Sequence, residues 1–408
     1  MPLPTAAQID SVFPTTGTAV IPRGDVATLL KNMLPGIGDQ SWGMNAPQGA
    51  LNRSLVMTTG APTLTLSAAG AATALSGSPV TIANSDTRFE SSPRDSRTGG
   101  GIYWPNGAGM ISGHCNYWRW ATDSADFEVV LNCVANASIN IKVGDQYASG
   151  TSFVTSASGV YRVRVTHTEK LMRDIAVTGS VGSGFSAFNG VTLAPTDMLA
   201  APAILSNEVW AVVTDSMGVG GPLYGGPSDK GAGSHADACM TALGIRRYVV
   251  DSVGGSGYIA GAANNFTTRV PLRSAAVTPR PTRFLIVGGY NDATGNTQAA
   301  IQTAALQLYD SIQALIPGVK IIAATTLNPQ ATDNATPAII AAAAARSSFV
   351  SVIPGHTYIA GTGRVGTTTG VGNRDFVINP DGVHPAPYGY SYLGLRMAQD
   401  IMALRAAA

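Results

Sequence analysis

Two different periods of apolar and polar residues divide the chain. From about residue 47 to residue 203, short runs alternate between apolar and polar residues, which predicts β-strands with one buried face. The strand candidates are residues 127–134, 138–143, 160–165, 174–178 and 185–193. Gly, Ser and Asn separate these runs, and strands of this length joined by such turns are typical of a β-sandwich or jelly roll.

A short junction, Ala200-Ala201-Pro202, precedes the second pattern. Beyond it, apolar runs without alternation predict strands that are buried on both faces, and helical patterns separate them. The predicted strands are 209–213, 247–251, 283–288, 319–325 and 349–353, and the predicted helices are 235–243, 297–315, 337–346 and 388–404. Repeated β-α-β units predict an α/β fold with helices on both faces of a parallel sheet.

The first 46 residues contain two short helix signals, residues 6–12 after Thr5 and residues 26–34 after Asp25. Neither is long enough to be stable without packing against another element. This opening resembles, loosely, the N-terminal stretches of bacteriophage tail-fibre and tail-spike proteins; the alternative is an ordinary extension that lies against the next domain. We therefore expect an N-terminal extension (1–46), which is either an attachment segment or an ordinary extension, a jelly-roll-like β-sandwich domain (47–203) and an α/β domain (204–408).

Composition restricts the class of protein further. Of the 408 residues, 45% are hydrophobic and only 12% are charged, and the remainder is rich in Gly, Ala, Ser and Thr, which is typical of β-rich extracellular proteins. The net charge is +1 without a basic run, so we expect neither nucleic acid nor a membrane as a partner. The N-terminus lacks the pattern of a secretory signal. We expect an extracellular or virion-associated protein that is exported by another route or has lost its leader.

Cysteine and aromatic residues leave two alternatives open. Cys115 and Cys133 are close enough in sequence to pair, but three cysteines do not form a disulfide framework, and buried thiols are the favoured interpretation. No Cys/His cluster has the spacing of a zinc site. A group of aromatic residues could stack on sugar rings or fill the core of the sandwich, and we favour the core. Its members are Tyr103, Trp104, Tyr117, Trp118 and Trp120.

Candidate chemistry follows the carboxyl ends of the predicted parallel strands, which meet at one edge of a sheet. Ser216 follows the first strand and is a candidate nucleophile. His384 can accept its proton, and Asp381, three residues earlier, can hold the other imidazole nitrogen. Gly255 can offer a backbone N–H and Asn291 a side-chain amide to an oxyanion, as the N–H of Ser216 can. This set of groups is what acyl transfer from an ester requires.

In this combination and order the residues resemble the SGNH hydrolases, also called the GDSL family. The resemblance covers about residues 205–408, and its third and fifth blocks are intact as Gly289-Tyr290-Asn291-Asp292 and Asp381-Gly382-Val383-His384. It implies a three-layer α/β/α domain with Ser216, His384 and Asp381 as catalytic residues and with Ser216, Gly255 and Asn291 as the oxyanion hole. It implies no cofactor and no metal.

Two blocks depart from the family pattern or are ambiguous. Thr214 stands where Gly is usual before Asp215-Ser216, which puts the detailed shape of that loop in doubt. In the second block, Gly254 and Gly255 are both candidates for the oxyanion donor, and we prefer Gly255. The third and fifth blocks also have purely structural interpretations. Asn291-Asp292 could cap a helix, Asp381-Gly382 could be an ordinary turn, and His384 could be a surface histidine before proline. Four blocks in the right order favour the hydrolase.

The layout of a β domain before an SGNH domain resembles that of carbohydrate esterases with an N-terminal jelly roll. This resemblance implies a serine esterase that removes O-acetyl groups from a polysaccharide, and the tail-like opening suggests a phage enzyme that acts on bacterial surface glycan. The alternatives are a glycan-binding attachment protein with an idle hydrolase fold, a lipase and a thioesterase. The assembly state is left open between a homo-oligomer and a component of a virion tail.

Overall fold

The computed structural model describes residue 57 and residues 59–91, 96–98, 101–103, 115–180, 186–203, 206–218, 234–274 and 280–407. The two helices predicted within residues 1–46 therefore lie outside the described residues.

The N-terminal part consists of short strands. They are β1 (Thr63–Leu66), β2 (Val80–Ala83), β3 (Glu90–Ser91), β4 (Ser96–Thr98), β5 (Gly101–Tyr103), β6 (Cys115–Thr122), β7 (Asp126–Cys133), β8 (Ser138–Val143), β9 (Gln146–Tyr147), β10 (Phe153–Val154), β11 (Gly159–Thr166), β12 (Arg173–Ser180), β13 (Ser186–Leu193) and β14 (Leu199–Ala200). The five runs predicted as strands correspond to β7, β8, β11, β12 and β13, which confirms them as strands.

These strands form two antiparallel sheets. One has the order β1-β11-β7-β13-β5-β4, with β2 also paired to β13, and the other has the order β10-β8-β12-β6-β14, with β3 paired to β6 and β9 to β8. Consecutive long strands alternate between the sheets, and alternate residues of each strand therefore face a common core. Trp118 and Trp120 of β6 share that core with Phe127, Val129 and Leu131 of β7.

The aromatic group on β6 belongs to the protein interior. Trp118 and Trp120 have 0% relative exposure, and Tyr117 has 2%. Trp118 stacks on Phe188 with 5.3 Å between ring centroids. These three side chains are therefore core residues, as favoured from the sequence, and none offers a ring face to a sugar; Trp104 lies outside the described residues.

The C-terminal part is an α/β unit. Its strands are β15 (Val209–Thr214), β16 (Arg247–Ser252), β17 (Arg283–Val287), β18 (Lys320–Ala324) and β19 (Val350–Ile353), and its helices are α1 (His235–Ala242), α2 (Phe266–Ser274), α3 (Gln298–Leu315), α4 (Ala335–Ala344), α5 (Arg374–Val377) and α6 (Pro387–Ala407). The strands pair in the order β16-β15-β17-β18-β19, all in parallel. The predicted parallel sheet is confirmed, and α2 and α5 are helices that the sequence analysis missed.

Strand β15 shows why the apolar run has no alternation. Trp210 and Val212 contact the core on one face of the sheet, which includes side chains of α1 and α6. Ala211 and Val213 contact the core on the opposite face, with side chains of α2, α3 and α4. Because both faces are covered, every residue of the strand is buried, and an apolar side chain is favoured at each position.

The antiparallel sheets and the α/β unit are joined through buried contacts. Tyr147 of β9 belongs to the same apolar core as Trp210 of β15. Beside it, the carboxylate of Asp237 on α1 accepts hydrogen bonds from Lys142 Nζ at 2.7 Å, from Tyr147 at 2.9 Å and from Tyr248. Asp237 has 0% exposure, so Lys142 and the two hydroxyls supply the stabilisation that water would otherwise give.

Within the residues that the structure describes, no helix combines the length and the apolar character needed to cross a bilayer.

Candidate active site

The residues singled out in the sequence meet at the carboxyl edge of the parallel sheet. Ser216 begins a 3-10 turn two residues after β15. The turn with Gly254 and Gly255 follows β16, and Asn291 follows β17. His384 comes from the loop that precedes α6, and its ring reaches Ser216 across 168 positions of sequence. The edge of the sheet is where ligands bind in open α/β folds.

Ser216, His384 and Asp381 form a continuous chain of hydrogen bonds. The distance from Ser216 Oγ to His384 Nε2 is 2.9 Å, and that from His384 Nδ1 to Asp381 Oδ2 is 2.5 Å. With Nδ1–H donating to the carboxylate, Nε2 is an acceptor for the serine hydroxyl. The side chains of His384 and Asp381 are 19% and 10% exposed. The arrangement is that of a nucleophile, a base and a group that orients the base.

Asp381 is held as an acceptor by its own loop. Its Oδ1 accepts hydrogen bonds from the backbone N–H groups of Val383 and His384, at 2.9 and 3.0 Å. Burial alone would raise the pKa of Asp381, but the hydrogen bonds from the His384 ring and from these two amides outweigh it and leave the pKa below its usual value. The carboxylate therefore stays ionised when His384 carries a proton.

The loop that carries Asp381 and His384 is clamped by side chains that sequence reasoning did not identify. Arg374 Nη2 donates to Gly382 O at 2.7 Å, and Asn328 Nδ2 donates to Val383 O at 3.0 Å. Arg364 Nη1 donates to Pro380 O at 3.0 Å. Asn328 follows β18 and so lies at the same sheet edge, which was a usable signal; the arginines belong to no pattern that points to this loop.

The position of Gly382 favours glycine for two reasons. Its φ is +78°, in the left-handed region that favours glycine. A Cβ at this position would also lie 2.7 Å from Cζ of Arg364. The turn interpretation of Asp381-Gly382 is therefore correct, and the turn places the Asp381 carboxylate against the His384 ring.

The departure of Thr214 from the family pattern has a local explanation. Thr214 is fully buried, and a Cβ at Gly218 would lie only 2.0 Å from its Cγ2 methyl group. Gly218 therefore provides the room that the threonine needs in the turn after the strand. In that turn Met217 N–H donates to Asp215 Oδ1 at 2.8 Å, and Gly218 N–H donates to Asp215 O at 3.0 Å. The turn leaves Ser216 partly exposed beside His384.

The second block forms a β-turn beside Ser216. Ser256 N–H donates to Val253 O at 3.4 Å, which places Gly254 and Gly255 at the two central positions. Gly255 has a φ of +70°. A Cβ at Gly254 would lie 3.8 Å from Ser216 Cβ, whereas one at Gly255 would have no neighbour within 4 Å. Gly254 is thus the nearer of the two glycines to the Ser216 side chain.

Asn291 and Asp292 both hold the second block. Asn291 Nδ2 donates to Ser256 O at 2.8 Å, and its second N–H is the group available to a substrate oxygen. The buried Asp292 carboxylate accepts hydrogen bonds from three successive backbone amides, those of Tyr258, Ile259 and Ala260, at 2.7 to 3.0 Å. Helix α3 is capped by Thr297, so the helix-cap interpretation of Asn291-Asp292 is wrong.

Asp215, next to Ser216, has a strongly shifted pKa. Its side chain is almost completely buried, and this burial raises the pKa of Asp215 to about 7. The hydrogen bond from Met217 opposes the shift, the charge of Asp292 adds to it, and the charge of Arg269 opposes it. Below about pH 7 the native protein keeps a proton on Asp215, whereas the unfolded chain loses this proton near pH 4. The free energy of unfolding therefore depends on pH through this group.

An Asp215→Asn variant should therefore change the pH dependence of folding. Between about pH 4 and pH 7 the native protein binds a proton that the unfolded chain has lost, so Asp215 lowers stability as pH rises through this window. Asn cannot ionise and keeps an oxygen for Met217. As pH rises from 4.5 to 8, the free energy of unfolding of the variant should increase by a few kcal/mol relative to that of the parent protein, since one pKa unit corresponds to about 1.4 kcal/mol.

Urea unfolding at several pH values measures this difference. His167 and His235, whose pKa values burial lowers to about 4, act in the opposite direction in both proteins, so their contribution cancels in the comparison. Stability curves that stay parallel across the whole range would show that Asp215 ionises normally.

Comparisons with known proteins identify the fold. No family model matches the chain, and no curated protein sequence does. Among solved structures, a family two carbohydrate esterase from Clostridium thermocellum is 14% identical with a TM-score of 0.57, over 78% of this chain and 100% of that one. An acetyl xylan esterase from Butyrivibrio proteoclasticus is 11% identical with a TM-score of 0.59, over 81% of this chain and 98% of that one.

A third similar structure has a different activity in its name. A salicylyl-acyltransferase from a tetracycline biosynthetic pathway is 13% identical with a TM-score of 0.55, over 80% of this chain and 98% of that one. The chain therefore has an SGNH/GDSL fold of the carbohydrate-esterase type, as its sequence blocks predict. Identities this low establish the fold and leave the reaction to be argued from the site.

Proposed function

We propose that this protein is a serine esterase that removes O-acetyl groups from a polysaccharide. One observation carries the proposal: the unbroken chain of hydrogen bonds from Ser216 Oγ through His384 to Asp381 at the carboxyl edge of the sheet. A partly exposed serine that is hydrogen-bonded to an oriented imidazole is the constellation that activates a hydroxyl for attack on an ester.

The reaction follows from these positions. Ser216 Oγ attacks the acetyl carbonyl while His384 Nε2 takes the hydroxyl proton, and Asp381 stabilises the imidazolium that forms. His384 then gives the proton to the leaving sugar oxygen, which leaves an acetyl-serine. A water molecule, deprotonated by His384, attacks this second ester and releases acetate and the free serine.

The proposed oxyanion hole consists of the backbone N–H groups of Ser216 and Gly255 and the side-chain amide of Asn291. Donors that are fixed before the reaction stabilise the charge of the tetrahedral intermediate without reorganisation. Two contacts fix them here: Asn291 is held by Ser256 O at 2.8 Å, and Ser256 closes the turn that carries Gly255.

A small acyl group on a sugar suits the surroundings of the site. Residues 361–373 contain mostly Gly and Thr and lie against the catalytic loop through Arg364, which packs on Gly382. Thr367, Thr368 and Thr369 are exposed. Such a segment can hydrogen-bond sugar hydroxyls but offers little apolar surface for a long acyl chain, whose burial would contribute about 0.8 kcal/mol per CH₂. Two of the similar folds belong to carbohydrate esterases.

We propose that the N-terminal part, about residues 47–203, is a jelly-roll domain that helps to present the polymer, and that residues 204–408 form the catalytic domain. The strand orders support the assignment. The run β10-β8-β12-β6 in one sheet and the run β11-β7-β13-β2 in the other correspond to the interleaved order of two Greek keys. An extracellular or virion-associated location remains a proposal from the sequence.

Acetate release from acetylated polysaccharides tests this function. Xylan, pectin and a bacterial surface glycan, each O-acetylated, should be compared with acetyl, butyryl and octanoyl esters of one chromogenic alcohol, with Ser216→Ala as the blank. We expect acetate from at least one polymer and faster cleavage of acetyl than of octanoyl esters. A preference for octanoate would indicate a lipase, and acetyl transfer to an added acceptor without free acetate would indicate an acyltransferase. Glycan binding without any turnover would indicate an attachment protein. Each of these results would contradict the proposal.

A further inference from the structure

One buried cation lies beneath the candidate active site without belonging to any block of the SGNH pattern. Arg269, on α2, is only 2% exposed, and its guanidinium lies over the ring of Phe266 at 4.9 Å. Nothing in the sequence pattern marks it, because α2 follows the second block and contains Thr267, Thr268 and Pro271, which disfavour a helix. A buried arginine is costly unless its donors are used.

The donors of Arg269 are used on the two strands beside the nucleophile. Nη2 donates to Thr214 O at 2.9 Å and to Asp251 O at 3.2 Å. Thr214 is the last residue of β15, immediately before Asp215-Ser216, and Asp251 lies next to the end of β16. The guanidinium thus ties together the ends of the strands that lead to Ser216 and to the glycine turn. Nε also lies 3.4 Å from the Asp251 carboxylate.

The other end of the guanidinium holds the glycine turn itself. Nη1 donates to Ser256 Oγ at 2.7 Å and to Asn264 O at 2.7 Å. Ser256 Oγ in turn donates to Val253 O at 2.7 Å, across the turn that contains Gly254 and Gly255. The carbonyl of the same Ser256 accepts the hydrogen bond that orients Asn291. Arg269 therefore reaches the glycine turn directly and Asn291 through one residue.

We propose that Arg269 is the positioning residue of the oxyanion hole. It holds the nucleophile strand with one nitrogen and the glycine turn with the other, so the three proposed donors, on Ser216, Gly255 and Asn291, keep fixed relative positions. The planar fork is needed because one group must serve two sites in two directions, which a lysine ammonium cannot do. This role rests on the proposed function, in which those three groups receive the oxyanion.

Four variants separate positioning from simple support of the fold. Arg269→Met removes the fork and the charge, and Arg269→Lys keeps the charge but not the fork. Ser256→Ala leaves the arginine in place but removes both its contact with the turn and the hydrogen bond from Ser256 Oγ to Val253 O. Arg119→Met is the matched control, because Arg119 is also a buried arginine, at 4% exposure, and lies on β6 away from the site. Asn291→Ala gives the scale, since losing one donor outright typically costs about 100-fold or more in kcat.

The first readout is the split between kcat and KM on a small acetate ester. Small displacements of fixed groups lower the rate more than binding. We expect about a 10- to 100-fold loss of kcat in both Arg269 variants with little change in KM, a smaller loss in Ser256→Ala, and wild-type kcat in Arg119→Met. Full kcat in Arg269→Lys would overturn the proposal, because the charge alone would then suffice.

The second readout does not depend on activity. Hydrogen exchange of the amides at 253–256, followed by mass spectrometry, should accelerate in Arg269→Lys and Ser256→Ala and stay unchanged in Arg119→Met. Unchanged exchange in that turn would overturn the proposal whatever the kinetics. A wild-type protein without esterase activity would instead contradict the proposed function, while the exchange result still decides whether Arg269 holds the turn.

Discussion

Ser216→Ala protein should fold normally and lose ester hydrolysis by a factor of about 10⁴ or more, since the members of a catalytic triad act as a unit. Among the residues that the structure describes, the side chain makes one hydrogen bond, to His384 at 2.9 Å, so its removal should disturb little else. His384→Ala should cause a loss of similar size, and the double variant should be hardly worse than either single one, because the remaining rate comes from the oxyanion hole and binding.

Initial rates on a chromogenic acetate ester measure this loss, with Ser351→Ala as the control. Ser351 is an exposed serine on β19, so this variant should keep full activity. A Ser216→Ala protein that turned over at the wild-type rate would contradict the proposed mechanism. Losses that multiplied in the double variant would show that serine and histidine act independently.

Lys142→Met should destabilise the protein by about 3–5 kcal/mol, the usual cost of removing one partner from a buried ion pair. The ammonium lies 2.7 Å from Asp237, and their side chains are 4% and 0% exposed. Burial raises the pKa of Asp237, but the charge and hydrogen bond of Lys142 and the hydroxyls of Tyr248 and Tyr147 outweigh it and keep the pKa below normal. Without the lysine, the buried carboxylate would lose the positive charge that balances its own.

Urea unfolding compares this variant with Arg164→Met, which breaks the half-exposed pair with Asp126. An exposed pair contributes about 0–1 kcal/mol, so the control should change little. The double variant Lys142→Met/Asp237→Asn should recover part of the loss, since no unpaired charge is then buried. Equal effects of Lys142→Met and Arg164→Met would show that the contact between β8 and α1 does not stabilise the protein.

The Lys142–Asp237 pair also explains why deleting the N-terminal part is a poor test of whether that part presents the polymer. Deletion of residues 1–203 would take away Lys142 and Tyr147 together and open the apolar core that contains Trp210. From the sequence alone, the two parts look separable at Ala200-Ala201-Pro202. Polar residues inside an alternating strand, such as Lys142, give no sign that their side chains are buried against another unit.

Much of the α/β unit follows from the sequence because each element carries its own signal. β15 is an apolar run without alternation, and such runs form strands that are covered on both faces. Helix α3 begins after its cap, Thr297, and ends before Pro317-Gly318. The candidate triad could be predicted for a related reason. The carboxyl ends of parallel strands lie at one edge of the sheet, so residues far apart in sequence were expected to meet there.

The supporting arginines, Arg269, Arg364 and Arg374, could not be found in this way, because their roles depend on packing in three dimensions. Arg269 acts on carbonyl groups of other elements, and backbone acceptors leave no trace in a sequence. Helix α2 was missed because Pro271 normally interrupts a helix. Thr214 departs from the family pattern, and the sequence did not show that Gly218 leaves room for its methyl group. Each of these features depends on a contact between residues that the sequence does not show.

Covalent labelling shows whether Ser216 is a nucleophile that His384 activates. A fluorophosphonate ester reacts with a serine only where a base and an oxyanion hole activate it. We expect one phosphonyl group per chain, located on the peptide that contains Ser216, with esterase activity lost at the same rate and with no labelling of His384→Ala. Full labelling at another residue, or activity that survives complete labelling of Ser216, would contradict this expectation.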